Sequence, residues 1–292
     1  MRRILILLNK RAGTLLDRGA DGLREALNGA LGGAGRSLDI RILHPREMGH
    51  AIGKIAQNDH DTVIIGGGDG SVSAAAHALS NSEKTLGVLP FGTLNLLARD
   101  LNMPLDPDAA ILALARATPR RIDLASLNGR LFHSISGLGF FSQMARAREE
   151  HRDLPGKILR LGAAAMRALT RTGRFSFDVE IEGKRRAIET YALMVTCNTF
   201  AGTGWRRETL DGGTLEIHFA RDEGALAKMK AGADMLTGAW RDNDGIESLS
   251  AQRLRISAAR HRAWVATDGE LRREHMPLEY QIKPRALNVL AL

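Results

Sequence analysis

Apolar residues fall into short continuous runs alternating with helical spacing over the first third of the chain. Residues 4–8 are uninterrupted apolar and predict a buried strand. Leu23, Leu27 and Leu31 recur four apart and predict a helix over 17–31 with one apolar face. The alternation continues with a strand at 38–43 and a helix at 47–58 burying Met48, Ile52 and Ile55. Strands at 63–65 and 86–89 follow, each running into a glycine turn and then a helix, with a last helix at 108–117. Such a βαβ rhythm predicts a parallel sheet covered by helices.

Beyond about Pro119 the pattern changes. Strands are predicted at 121–126, 130–136, 175–182, 185–196, 214–220, 253–257, 264–267, 278–283 and 287–290. Only two helices interrupt them, at 154–172 and 225–237. Many strands joined by turns such as Glu182-Gly183-Lys184 predict an antiparallel sandwich. The expected organisation is an α/β domain over 1–119 with a parallel sheet, then a β-rich sandwich over 120–292.

Two turns stand out. The first is Gly66-Gly67-Gly68-Asp69-Gly70-Ser71; the second contains Gly92, Thr93 and Asn95. A glycine turn between a strand and a helix lets the main chain approach an anion and offer it free N–H groups. On consecutive parallel strands the two turns meet at the carboxyl edge of the sheet, together with Asn9 at the end of the first strand. Neither Gly-x-Gly-x-x-Gly nor a P-loop lysine is present, so a phosphate site of another kind is implied. Asp69 is an awkward neighbour for phosphate unless a cation lies between them; Mg²⁺ would serve, and a helix N-cap is the alternative role.

These turns, with the Ile4-to-Gly13 opening, Arg121-Ile122-Asp123-Leu124 and Asp268-Gly269-Glu270, resemble the diacylglycerol kinase catalytic-domain family. The likeness is to its soluble bacterial lipid kinases, relatives of sphingosine and ceramide kinases. The resemblance implies an ATP·Mg²⁺ site at Gly66, Gly67, Gly68, Asp69, Gly70 and Ser71, with Asn9, Gly13, Gly92 and Thr93 in the same cleft and Asn95 capping or stitching the second turn. It puts the proton acceptor at Glu270, with Asp268 supporting or competing; read alone, Asp-Gly between two strands is a hairpin turn. It also implies a lipid alcohol, diacylglycerol first and a sphingoid base or ceramide next, held in an apolar cleft between the halves. The NAD kinase family has a similar glycine turn, which makes a soluble alcohol the rival substrate.

Three positions depart from the family pattern. Ala74 and Leu96 stand where acidic residues are usual, and the stretch from Thr209 to Glu216 puts Asp211 one place early for a structural metal, with Gly212 at the expected acidic position. A non-catalytic nucleotide-binding protein is therefore the alternative from another class.

The net charge of +8 over 292 residues suits anionic partners. Residues 157–174 carry a basic stripe that reads first as a solvated face, since membrane-surface helices usually carry bulkier residues than Ala163–Ala165, with peripheral contact with a membrane as the alternative. At 4% aromatic, with three scattered tryptophans, the chain lacks a base-stacking platform, so nucleic acid is not expected. The histidines show no paired spacing for zinc, and the lone Cys197, in an apolar run, reads as a buried thiol. No apolar run is long enough for a signal peptide or a membrane span, so a cytoplasmic protein is expected.

Overall fold

The structure is a computed structural model describing residues 3–12, 19–33, 35–93, 95–150, 167, 172–201, 206–221, 230, 233–234 and 239–292. The chain forms two units: 1–124 with 284–292, and 125–283. The sequence boundary near Pro119 makes no allowance for this return of the C-terminal segment.

The first unit begins with β1 (Arg3–Asn9), α1 (Ala20–Leu31), β2 (Ser37–Leu43) and α2 (Pro45–Gly53). It continues with β3 (Thr62–Gly67), α3 (Asp69–Leu79), β4 (Thr85–Pro90), α4 (Leu96–Asp100), α5 (Pro107–Arg116) and β5 (Thr118–Leu127), whose end enters the second unit. Strand β1 lies between β2 and β3, and β4 follows β3, all parallel. Central parallel strands are covered on both faces and need apolar residues throughout; Ile4 to Leu8 and all of β3 are buried. Leu23, Leu27 and Leu31 are fully buried along one face of α1.

Helix α2 ends earlier than residues 47–58 predict. Pro45 opens it, and Glu47 accepts the His44 N–H at 2.9 Å. After Gly53 the chain tightens into turns in which Lys54 donates to Ala51 and Gln57 to Lys54. Ile55 remains buried without being helical.

In the second unit come β6 (Arg130–Phe132), β7 (Ile135–Gly139), α6 (Phe140–Glu150), β8 (Phe175–Ile181), β9 (Lys184–Thr190), β10 (Ala192–Cys197) and β11 (Leu215–Ala220). Then follow β12 (Ile246–Ala251), β13 (Arg253–Ser257), β14 (Arg262–Thr267), β15 (Glu270–His275) and β16 (Leu278–Ala291). One antiparallel sheet runs β12-β11-β10-β7-β14-β15. Facing it, the first part of β16 pairs with β13, then β8 and β9. The core between them takes Val195, Ile217 and Val265 from one side and Val179, Ile256 and Tyr280 from the other. This is the expected sandwich. The end of β16 pairs in parallel with β4 in the first unit, through Asn288 and Val289.

At three places predicted strands divide or merge differently. Residues 185–196 split at Tyr191, where the Thr190 hydroxyl shares its one proton between the Ala192 and Ala220 carbonyls and accepts the Ala192 N–H, ending the ladder. Residues 130–136 split at His133 and Ser134, whose N–H groups go to a carboxylate instead of a strand. Residues 278–283 and 287–290 form one strand, with positive φ at Arg285, whose N–H donates to Asp123 at 2.7 Å. Helix α6 and strands β12 and β15 were not expected. The predicted helices at 154–172 and 225–237, and the basic stripe, lie outside the described residues apart from Arg167, 172–174, Lys230 and 233–234.

Candidate active site

In the first unit the parallel register brings Asn9, Gly67 and Pro90 to the carboxyl ends of adjacent strands. Leu8 sits opposite Gly66, and Gly67 opposite Pro90. The two turns pack glycine on glycine. A Cβ on Gly92 would lie 2.6 Å from the Gly68 Cα and 2.8 Å from Asn95 Oδ1, so no side chain fits there. A Cβ on Gly66 would meet the Leu8 side chain at 2.5 Å.

Two side chains clasp the turns together. The Asp69 carboxylate accepts the N–H of Asn95 at 3.1 Å and of Leu96 at 2.8 Å. Asn95 has left-handed φ of 52°; its Oδ1 accepts the Gly92 N–H at 2.8 Å, and its amide donates to the Pro90 and Gly92 carbonyls, each at 3.1 Å. Asn95 therefore stitches the second turn, one of the roles its position suggested. Helix α3 follows Gly68, which has no side chain to cap it; the Ser71 and Val72 N–H groups bond the Gly68 carbonyl, and the helix start carries no side-chain cap.

Around this clasp, Asn9 closes its own turn by accepting the Arg11 N–H at 3.0 Å. Ser71 stands beside Gly67, where an added Cβ would meet its hydroxyl at 3.2 Å. Gly70 lies in the first turn of α3, and Thr93 is exposed on the second turn. Gly13 lies outside the described residues. Glycine packing and an uncapped helix start fit a polyphosphate group. A resident metal fits less well, since both Asp69 oxygens accept amide protons. Among the described residues no group of three or more His, Cys, Asp or Glu side chains could hold an ion.

The second proposed metal position is no better provided in this chain. Asp211 is exposed, and a Cβ at Gly212 would meet Thr209 Oγ1 at 2.8 Å, so an acidic residue there would require the Thr209 side chain to shift. Nearby, Glu216 is bound by the Arg241 guanidinium and accepts the Thr199 hydroxyl at 3.2 Å. His218 stands 3.6 Å from Glu216, and burial pushes its pKa down to about 3, assisted by the Arg241 charge.

In the second unit Asp268 and Gly269 form the turn joining β14 to β15, both with positive φ. The Asp268 side chain is 1% exposed. It accepts the N–H groups of His133, Ser134 and Ile135 at 2.9, 3.0 and 3.2 Å. Such an acceptor anchors the turn and has little capacity left for a substrate proton. Glu270 is different: it is 46% exposed and pairs only with Arg272, at 2.8 Å, among the partners described for it. Arg272 was missed as a Glu270 partner. Its signal was the i, i+2 spacing, which puts both side chains on one strand face. His133, whose Nε2 lies 3.5 Å from Asp268, had no signal, because the contact joins distant stretches.

The first unit is a parallel α/β domain of the kind that grips phosphates at its strand ends, and the second an antiparallel sandwich. The sequence model of the diacylglycerol kinase catalytic domain matches residues 3–127, and that of the YegS C-terminal NAD kinase beta sandwich-like domain matches 136–291. The chain belongs to this diacylglycerol kinase catalytic-domain family, in its YegS-type bacterial branch.

A Pseudomonas aeruginosa PAO1 protein named probable lipid kinase YegS-like is 34% identical over 63% of this chain, and the match spans 61% of that relative's length. A Chromohalobacter salexigens protein of the same name is 28% identical over 78% of this chain and 75% of its own. Among solved structures, one titled a diacylglycerol kinase from Bacillus anthracis str. Sterne has a TM-score of 0.70 at 18% identity, covering all of this chain and 97% of its own. Another from that organism reaches 0.79 at 21% identity, covering 100% and 95%. At these identities the structural likeness is one of fold.

Proposed function

We propose that this chain is a lipid kinase that transfers the γ-phosphoryl group of ATP, supplied as ATP·Mg²⁺, to the hydroxyl of a lipid alcohol. The observation that carries the reading is the clasp. Asp69 and Asn95 hold two glycine turns side by side, and the start of α3, with no side-chain cap, offers the N–H groups that a phosphate chain would take. Diacylglycerol is the leading acceptor, since neighbours of this fold carry that name; a sphingoid base or ceramide is the alternative.

Within this proposal each part of the chain has a limited task. The main chain at Gly68, Asp69 and Gly70 binds the phosphates of ATP·Mg²⁺. Asn9, Ser71 and Thr93 border that strand edge, and Gly13 belongs to the same turn region by family likeness. Glu270 takes the proton from the lipid hydroxyl as its oxygen bonds to the γ-phosphorus. The bond from the γ-phosphorus to the bridging oxygen breaks, and ADP leaves with that electron pair. Asp268 holds the turn that presents Glu270. Such an enzyme would work peripherally at the cytoplasmic face of a membrane, the side that supplies ATP; no helix among the described residues is long and apolar enough to cross one.

The test is transfer of labelled phosphate from ATP to a total lipid extract, with NAD as the competing acceptor. Label in lipid is expected, and Glu270→Gln should abolish it while ATP binding persists. Label in NAD would overturn the lipid assignment. ATP binding without transfer to either would favour a nucleotide sensor, the reading that Ala74 and Leu96 leave in play.

A further inference from the structure

The β14–β15 hairpin divides its charges by face. Cross-strand partners in an antiparallel pair point the same way, so Arg262 with His275, Trp264 with Arg273 and Ala266 with Leu271 share one face. The opposite face carries Glu270, Arg272 and Glu274. Both carboxylates of β15 are therefore turned away from Arg262, Trp264 and Arg273. A shallow cavity of about 440 Å³ lies on the first face, lined by Arg260, His261, Arg262, Trp264 and Arg273, with no acidic residue. Arg260 also stacks 5.7 Å from the Phe175 ring. No ion pair is found for Arg260, Arg262 or Arg273 among the described residues.

Trp264 is 45% exposed at the centre of this face. A sheet edge often carries arginines to discourage strand pairing, and that alone would explain β15. It would not explain an exposed indole surrounded by them. Tryptophan prefers the boundary between water and hydrocarbon, with its ring among acyl chains and its N–H in the headgroup layer. Guanidinium groups around it pair with lipid phosphates.

We propose that this face of β14–β15 docks on an anionic phospholipid bilayer, with Trp264 entering the interface and Arg260, Arg262 and Arg273 resting on phosphates. The surface is a different stretch of chain from the basic stripe at 157–174. It deepens the lipid-kinase reading by naming the part that meets the lipid phase, and its test needs neither nucleotide nor turnover.

Sedimentation is measured with vesicles of equal phosphatidylglycerol and phosphatidylcholine, and with phosphatidylcholine alone. The wild-type chain is expected to sediment with the anionic vesicles only. Each arginine removed should weaken binding about fivefold, the equivalent of roughly 1 kcal/mol per surface cation, so Arg262→Gln with Arg273→Gln should lose about thirtyfold. Lys184→Gln with Arg185→Gln removes the same charge from the exposed β8–β9 turn and should change binding less than about twofold.

Equal losses in the two pairs, or no wild-type binding, would overturn the proposal. So would displacement by duplex DNA at matched phosphate, which would mark the face as a general polyanion site. Should a double variant fail to fold, fluorescence of the wild-type chain still decides. Anionic vesicles should blue-shift the indole emission, Trp264→Phe should remove the shift, and an unshifted wild-type spectrum refutes the insertion.

Discussion

Asp268→Asn separates a structural from a chemical role for the Asp-Gly-Glu turn. Asparagine has the same shape and tolerates the left-handed backbone at this position, where φ is 46°. Its remaining oxygen can still accept from Ser134 and Ile135, although without charge those two bonds weaken, by about 1 kcal/mol each. The new amide group would face the His133 N–H, now 2.9 Å from Oδ2, and set donor against donor in a buried site at a cost of about 1–3 kcal/mol. The total is about 3–5 kcal/mol, against about 5–15 kcal/mol for a typical domain. Urea unfolding followed by circular dichroism should show the midpoint falling with unchanged slope. At a temperature where the variant stays folded, phosphoryl transfer should remain within about tenfold of wild type, whereas Glu270→Gln should lose on the order of a hundredfold or more. A variant as stable as wild type within about 0.5 kcal/mol, yet unable to transfer phosphate, would show that Asp268 acts on the substrate and that the anchoring argument is wrong.

Gly92→Ala should reduce ATP affinity at least tenfold and cost about 1–3 kcal/mol, because its Cβ would lie 2.6 Å from the Gly68 main chain; calorimetric titration and a thermal melt check both. Stability should also fall in acid through His218. Folded, it stays neutral down to about pH 3, while the unfolded side chain takes a proton below its ordinary value of 6.5, so the unfolded state binds more protons between the two. That stability is complete above about pH 6.5 and is lost at up to about 1.4 kcal/mol per pH unit as the pH falls; His218→Gln should flatten that part of the profile in urea midpoints measured against pH.

The first unit was legible because its elements carry strong, single signals. Ile4 to Leu8 cannot be anything but buried, and leucines four apart define the α1 face. The second unit was legible in class and less so in detail, since its breaks are made by side chains bonding across long separations. Nothing near Thr190 says that its hydroxyl will end one strand and start another. Nothing near His133 and Ser134 says that their N–H groups will be taken by Asp268. Strand β15 was missed because Glu-Leu-Arg-Arg-Glu-His lacks the apolar alternation of a half-buried strand; it is a sheet edge with only Leu271 and Glu274 partly covered.

The motif residues themselves divide in a way that spacing could not show. Asp69 and Asp268 look like ligands in the sequence, yet both accept main-chain N–H groups, as Asn95 does in stitching its turn. This bears on the two missing acids. Leu96 contributes its N–H to Asp69, which any residue but proline supplies, and it is only 7% exposed, where a carboxylate would be costly. Ala74 is exposed on α3 and takes no part in the clasp. Neither substitution disturbs the geometry that brings the glycine turns together. The divergence from the family pattern thus spares the main chain of the two glycine turns, and any loss of function it causes would have to come from the missing charge, not from the shape of the turns.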